Sequence, residues 1–334
     1  MNKGLMIINL GSPDSTRVSD VRSYLREFLS DPDVIDLPAL GRNLLLYGVI
    51  LPFRPAKSAH AYRAIWTDNG SPLINHTKLL AQSLSEQLDF PVKMAMRYGS
   101  PSIESTLKEF RSQGVERIHA IALYPQYSTA SMGSTYKELY RQNESLQDPL
   151  YISTEPAFYN DRGFLEAWAE TIRPFLDQDF HVLFSYHGIP ERQVLKSSYD
   201  GSCELGRCCD NQTPAFCYRA QCMSTTKSLT SMLNLSENRW EMTFQSRLGR
   251  TPWLKPYTDL RLVDLPSEGK KKVVMVSPSF VADCLETLEE LNIRAREDFL
   301  SAGGEEFRFV PSLNQNPKWI QAVADMGRKG LANS

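Results

Sequence analysis

Three places in this 334-residue chain carry side chains whose types and spacing suit chemistry. His187 closes the apolar run HVLFSYH and is followed at once by Gly188-Ile189-Pro190. A histidine at the end of a buried strand, before a tight turn, is held rigidly. As neutral imidazole it can bind a metal, and near neutral pH it can take a proton. The spacing leaves equally open a turn residue bonded to backbone. The segment SPSFVADCLETLEEL predicts a turn at Pro278 and Phe280 and a helix begun or capped by Asp283. Glu286, Glu289 and Glu290 then share one helical face at i, i+3 and i+4. Stacked carboxylates repel one another and, when buried, hold protons more tightly, so such a column can relay protons or guide a divalent cation. On spacing alone a solvated acidic face is the commoner outcome. The third place is SCELGRCCDNQTPAFCYRAQC, which holds Cys203, Cys208, Cys209, Cys217 and Cys222. Cytosolic thiols stay reduced, so this density points to a metal rather than a disulfide framework. The spacing C-x4-C-C-x7-C-x4-C lacks the usual C-x2-C pair and leaves both zinc and a [2Fe–2S] cluster open. Cys284, far from that segment, is expected to be a packed thiol.

The elements that must position these residues read as an alternation of short apolar runs and helical patterns. GLMIINL, VKMAMRY, ERIHAIALY and PLYIST are strand candidates in the first half, and HVLFSYH, WEMTFQS, KKVVMVS and EFRFVPS in the second. Most are continuous apolar runs, as in a sheet buried on both faces. Val18, Val21, Leu25, Phe28 and Leu29 recur at helical spacing. Ser102 is placed to cap the helix IESTLKEFRSQG, which Gly114 would end, and FLEAWAETIRPFL reads as a further helix. The alternation predicts an α/β fold with two similar parallel-sheet lobes of about four strands each. A weak internal echo agrees: Asn9-Leu10-Gly11-Ser12-Pro13 and Tyr186-His187-Gly188-Ile189-Pro190 both follow a strand as x-x-Gly-x-Pro. Ligands of open α/β sheets sit beyond the C-terminal strand ends, where both echoes lie.

Composition removes several classes. The net charge of −2 argues against a general nucleic-acid binder, which needs a clear excess of Lys and Arg. No Gly-x-Gly-x-x-Gly follows a strand and no phosphate-binding loop motif occurs, so no nucleotide is expected. The opening MNKGLMIINLGSP reads as a first strand, Gly4 to Leu10, rather than a signal peptide, and a cytoplasmic protein is expected. The run LLLYGVILPF, followed by Arg54 and Lys57, is too short to span a bilayer. It is either a buried helix or a lip that dips into a membrane interface with its cations at the headgroups.

NLGSP, RSYLREFL, YRAIWTDNGSPL, AMRYGSPSI, LYPQYS, FSYHGIPER, TFQSRLGRTPWLKPYTD and SPSFVADCLETLEEL resemble the motifs of ferrochelatases, in that family's order and across nearly the whole chain. The resemblance implies two Rossmann-like lobes with a porphyrin cleft between them: residues 1–155, with a pocket lip at about 44–57, and residues 156–334, with His187, Glu286 and the cysteine segment 203–222. It implies insertion of Fe2+ into protoporphyrin IX to form haem b. His187 would accept a pyrrole proton or contact the iron, Glu286 would act from the other side of the macrocycle, and Glu290 would continue a polar path. Arg97, Tyr98, Tyr62, Ser71 and Trp253 match porphyrin-pocket positions, while Arg54 and Lys57 are placed to pair with propionates. The lip would touch a membrane peripherally, such as an inner membrane. The cysteine segment is similar to the subgroup with an internal [2Fe–2S] cluster, with Cys203, Cys217, Cys222 and one of Cys208 or Cys209 as ligands and zinc as the alternative. Two other readings stay open: a chelatase for cobalt or another tetrapyrrole such as coproporphyrin, and a non-catalytic porphyrin or haem carrier.

Overall fold

The eight apolar runs form eight strands, in two four-stranded sheets whose strands all pair parallel. The structure is a computed structural model that describes residues 2–197, 201–210, 216–249 and 251–332. Strands β1 (Lys3–Asn9), β2 (Val92–Met96), β3 (Arg117–Ala122) and β4 (Tyr151–Thr154) lie in the order β2-β1-β3-β4. Strands β5 (His181–His187), β6 (Trp240–Gln245), β7 (Lys272–Val276) and β8 (Glu306–Phe309) repeat it as β6-β5-β7-β8. Six residues of β1 and six of β5 are buried, as continuous apolar runs in the middle of parallel sheets require.

Helices α1 (Val18–Ser30), α2 (Ala39–Leu45), α3 (Leu51–Ile65), α4 (Pro72–Gln87), α5 (Ile103–Ser112) and α6 (Ser134–Glu144) run among the strands of the first sheet. Helices α7 (Arg162–Ile172), α8 (Glu191–Ser197), α9 (Tyr218–Met232), α10 (Thr258–Asp264), α11 (Arg296–Ser301) and α12 (Pro317–Ala332) follow. Ser102 caps α5 by accepting the Ser105 N–H, and Gly114, at φ +72°, lies beyond its end. Asp161 caps α7 in the same way at Phe164. In α1, Val21, Tyr24, Leu25 and Leu29 face inward at helical spacing. Among the described residues three segments are π-helical: Leu46–Ile50, Thr129–Gly133 and Glu286–Ala295.

The chain divides into one unit of Met1–Tyr124, Thr129–Ala157 and Ile320–Ser334 and a second of Pro125–Ser128 and Phe158–Trp319. The single cut after residue 155 expected from the sequence does not describe this division. Residues 125–128 belong with α9, where Tyr127 N–H donates to Gln221 Oε1 at 2.6 Å and Gln126 Nε2 to Thr225 Oγ1 at 3.2 Å. At the other end, Trp319 packs on Phe158 and Phe164 in the second unit. From Ile320 onward α12 belongs to the first unit, where Arg328 Nη2 donates to the Gln87 carbonyl at 3.1 Å. An amphipathic helix shows in sequence that it has a face to bury, but not what will cover it.

Candidate active site

Within the second unit β5 lies between β6 and β7, so its C-terminal end is the switch point of that sheet. His187 is the last residue of β5. Its backbone N–H donates to Ser279 Oγ at 3.2 Å, and its carbonyl accepts the Tyr218 hydroxyl at 2.7 Å. The edge of Phe280 meets the imidazole, with ring centroids 6.0 Å apart. His187 Nδ1 is buried and has no hydrogen-bond partner. Burial holds the imidazole below its ordinary pKa of 6.5, and the nearby Glu286 carboxylate opposes that shift. At neutral pH the imidazole is therefore neutral. The turn after it is crowded: a Cβ on Gly188 would lie 2.7 Å from the Gln245 carbonyl and 3.3 Å from the Trp253 ring. Trp253 thus sits at the His187 turn, with Nε1 donating to Leu248 O at 2.9 Å.

The acidic stripe is real but divided. Glu286 and Glu290 turn toward the strand ends, where Gln245 Nε2 donates to the Glu286 carbonyl at 3.1 Å and reaches Glu290 Oε2 at 3.4 Å. Ser246 grips Glu290 with its N–H at 2.9 Å and its hydroxyl at 2.5 Å. Ser246 does so from a left-handed backbone, φ +66°, which is costly for a residue with a side chain. Burial raises the Glu290 pKa, and the Ser246 hydrogen bonds partly offset it. Glu289 leaves the expected common face and pairs with Arg294 at 3.0 Å. The reason is the π-helix, whose wider turn brings i+5 alongside i and swings i+3 off the common face. Upstream, Asp283 is buried and accepts from Thr287 Oγ1 (3.0 Å), Ser312 N–H (3.1 Å) and Asn314 Nδ2 (2.7 Å), which pins the start of this helix. Cys284 is a buried thiol, as expected, and hydrogen-bonds Glu286. Gln245, Ser246, Ser279 and Tyr218 were not singled out from the sequence; a serine after a strand or a tyrosine at a helix start carries no local mark of the partner it will meet.

The first unit holds the other expected pocket residues. Tyr62 is buried in α3 against the edge of Trp66, and Ser71 is buried at the start of α4. Tyr98 is 1% exposed, and its hydroxyl donates to Asp31 Oδ2 at 2.7 Å. Arg97 Nη2 and Ser134 Oγ reach the same oxygen at 2.5 Å each. Burial would raise Asp31, but the bonds from Ser134, Tyr98 and the Asp33 N–H, with Arg97, carry it below the ordinary carboxylate value. Asp31 was missed in the sequence because it lies past the end of α1 with no motif around it. Arg54 is half-buried and Lys57 exposed on α3. The lip is amphipathic in a way that the apolar run concealed: Leu46 is fully buried, while Leu40 (75%), Leu44 (66%), Tyr47 (56%), Val49 (55%) and Phe53 (76%) are exposed. Among the described residues no helix is long and apolar enough to cross a membrane.

The cysteines of the segment converge as two hydrogen-bonded pairs, Cys203 with Cys208 and Cys209 with Cys217. The Cys217 hydrogen bond and the Arg219 guanidinium, 2.6 Å away, lower the Cys209 thiol to about 6. Cys222 lies deeper, on α9, with its thiol at the Tyr218 hydroxyl and strongly raised by burial. Among the described residues no group of three or more His, Cys, Asp or Glu side chains stands close enough to hold a metal ion.

The family model of Ferrochelatase matches residues 2–331. Curated ferrochelatases are similar over almost the full length. That of Pseudomonas paraeruginosa is 44% identical over 96% of both chains. That of Legionella pneumophila is 44% identical over 97% of this chain and 98% of its own. That of Pseudomonas fluorescens biotype C is 46% identical over 96% and 95%. Among solved structures, the sirohydrochlorin chelatase SirB of Bacillus subtilis subspecies spizizenii, in complex with cobalt, superposes with a TM-score of 0.59 at 9% identity, covering 100% of this chain and 97% of its own. At that identity the likeness speaks for the two-lobed chelatase-like α/β fold. With a matching family model, close full-length relatives and a histidine and carboxylate at the switch point, the chain belongs to the Ferrochelatase family and is an enzyme of haem biosynthesis that inserts iron into a porphyrin.

Proposed function

We propose that the substrates are protoporphyrin IX and Fe2+ and that His187 is the proton acceptor. Insertion releases two pyrrole protons for each iron bound. The observation that carries the reading is a buried, neutral imidazole with a free Nδ1, held in electrostatic contact with Glu286. Glu286 guides the ferrous ion or takes the second proton, and Glu290, gripped by Ser246, continues the polar path. Bending the macrocycle exposes its nitrogen lone pairs, so tight apolar contacts raise the rate when they favour the bent ring. The porphyrin-binding roles expected of Trp253, Tyr62 and Ser71, and the pairing of Arg54 and Lys57 with propionates, are part of this reading. Arg97 and Tyr98, both bound to Asp31, shape the pocket indirectly. The test is an anaerobic assay of ferrous insertion into protoporphyrin and coproporphyrin by the wild type and His187→Ala. Faster turnover of coproporphyrin would overturn the substrate, and an active variant would overturn the base.

The thiols suit a thiophilic centre in chemistry: four lie in two hydrogen-bonded pairs, and one is acidified by a guanidinium. Cys203, Cys217, Cys222 and one of Cys208 or Cys209 are the ligands assigned in this reading to a [2Fe–2S] cluster. Such a cluster would supply an ordering, redox-sensitive centre and not a reactant. Acid-labile sulfide with iron in the purified protein supports it; one zinc per chain without sulfide identifies the metal as zinc. The exposed face of the lip suits peripheral contact of a cytoplasmic enzyme with a membrane, with Lys57 at anionic headgroups.

A further inference from the structure

A working histidine is usually aimed by a hydrogen bond on its second ring nitrogen. His187 has none on Nδ1, so something else must fix the imidazole. Phe280 limits one side of the ring. The main chain is held as well: β6 pairs with it at Gln245, Ser279 accepts the N–H, and the Tyr218 hydroxyl donates to the carbonyl. That hydroxyl also meets Ser279 and the Cys222 thiol, so one buried phenol joins both halves of the clamp to the cysteine helix. Tyr218 is the first residue of α9 and directly follows Cys217, which is itself bonded to Cys209. The path from the cysteine segment to His187 is therefore short: the first turn of α9, one buried phenol, one carbonyl.

We infer that Tyr218 is a positioning residue for His187, and the strut through which the cysteine segment bears on the active site. The inference rests on His187 as the base. Ordering the 203–217 thiols fixes the first turn of α9, the turn fixes the phenol, and the phenol holds the backbone of His187. Releasing the carbonyl leaves the apolar walls intact, so the loss appears in turnover and not in porphyrin affinity.

The full-length protein tests this with Tyr218→Phe, Cys209→Ser and the double variant. Two readouts are needed: kcat and KM for protoporphyrin, and the imidazole signal of His187 in protein labelled with 15N-histidine. The chain has five histidines, so loss of one signal in His187→Ala assigns it. Tyr218→Phe should lower kcat ~10- to 100-fold, the scale of a small misplacement of a reacting group, with KM unchanged and the His187 signal shifted. Cys209→Ser should shift the same signal in the wild type and add nothing in the Tyr218→Phe background. Unchanged kcat with an unmoved signal in Tyr218→Phe overturns the positioning role. Equal shifts from Cys209→Ser in both backgrounds overturn the strut. Should Tyr218→Phe fail to fold, Ser279→Ala removes the other half of the clamp; the absence of the same split there overturns the proposal. An active His187→Ala would instead remove the base assignment on which the inference stands.

Discussion

The C-terminal ends of β1 and β5 have the same frame and different contents. Asn9 and Tyr186 each tie the end of the strand to a threonine on a helix, Asn9 Nδ2 to Thr77 Oγ1 at 3.0 Å and the Tyr186 hydroxyl to Thr226 Oγ1 at 2.9 Å. Two residues further on, each has a glycine under a neighbouring backbone carbonyl. Gly11, at φ +109°, would collide with Tyr98 O if it bore a Cβ, as Gly188 would with Gln245 O. Beside each turn a carboxylate binds residues at the end of the adjacent strand: Asp31 holds Arg97 and Tyr98, and Glu290 holds Gln245 and Ser246. Directly before the glycine the first unit has Leu10 and the second His187. Two sheets of one topology thus build two similar sockets that differ in the residue set in each.

The strongest way to break the comparison is to empty both sockets. His187→Ala should cost ~1,000-fold or more in kcat while porphyrin still binds, because proton removal is lost and the walls remain. Leu10→Ala should leave kcat close to wild type and lower only the unfolding temperature. Steady-state kinetics and thermal melts check the pair, and an equal loss of turnover in both would end the asymmetry. The carboxylates come next. Glu286→Gln should slow insertion ~100-fold and Glu290→Gln ~10-fold. Glu289→Gln should be nearly silent, because its ion pair with Arg294 is on the surface side of the π-helix. A Glu289 effect as large as that of Glu286 would show that the stripe acts as one column after all.

Acidity sharpens the contrast with smaller effects. Asp31 is lowered in the folded state, so its stabilisation is present above the ordinary carboxylate pKa of 3.8 and is lost as pH falls through the folded value. Glu290 is raised, so stability is lost as pH climbs from 4.5 through its folded pKa. Urea midpoints against pH should therefore flatten on the acid side in Asp31→Asn. In Glu290→Gln they should lose a decline on the rising side. Slopes of the same sign in the two variants would contradict the assignment. Catalysis should show an acid limb below pH 6.5 in kcat/KM, because burial lowers His187.

The smallest effect concerns surface rather than socket. The first unit alone of the two carries the lip, and Leu44→Ser, Val49→Ser and Phe53→Ser together should reduce flotation with anionic vesicles without altering kcat in solution. Flotation equal to that of the wild type would leave the lip as pocket wall only.

Much of this was open in the sequence. Continuous apolar runs set all eight strands because a parallel strand buried on both faces has no polar positions to alternate. Ser102 and Gly114 marked α5 by chemistry local to the chain. The places of His187 and Glu286 could be read because strand end and helix start are themselves local features. What depended on distant neighbours was not legible. Glu289 parted from Glu290 because a π-helix changed the register, and no propensity marks a π-turn. Asp31, Ser246 and Tyr218 matter through partners 66, 44 and 31 residues away. Residue order determined the elements, the family and the chemistry available. Only the tertiary structure decided which carboxylates are buried, which face of the lip is bare, and which phenol holds His187, since burial and hydrogen-bond partnership arise when distant segments meet.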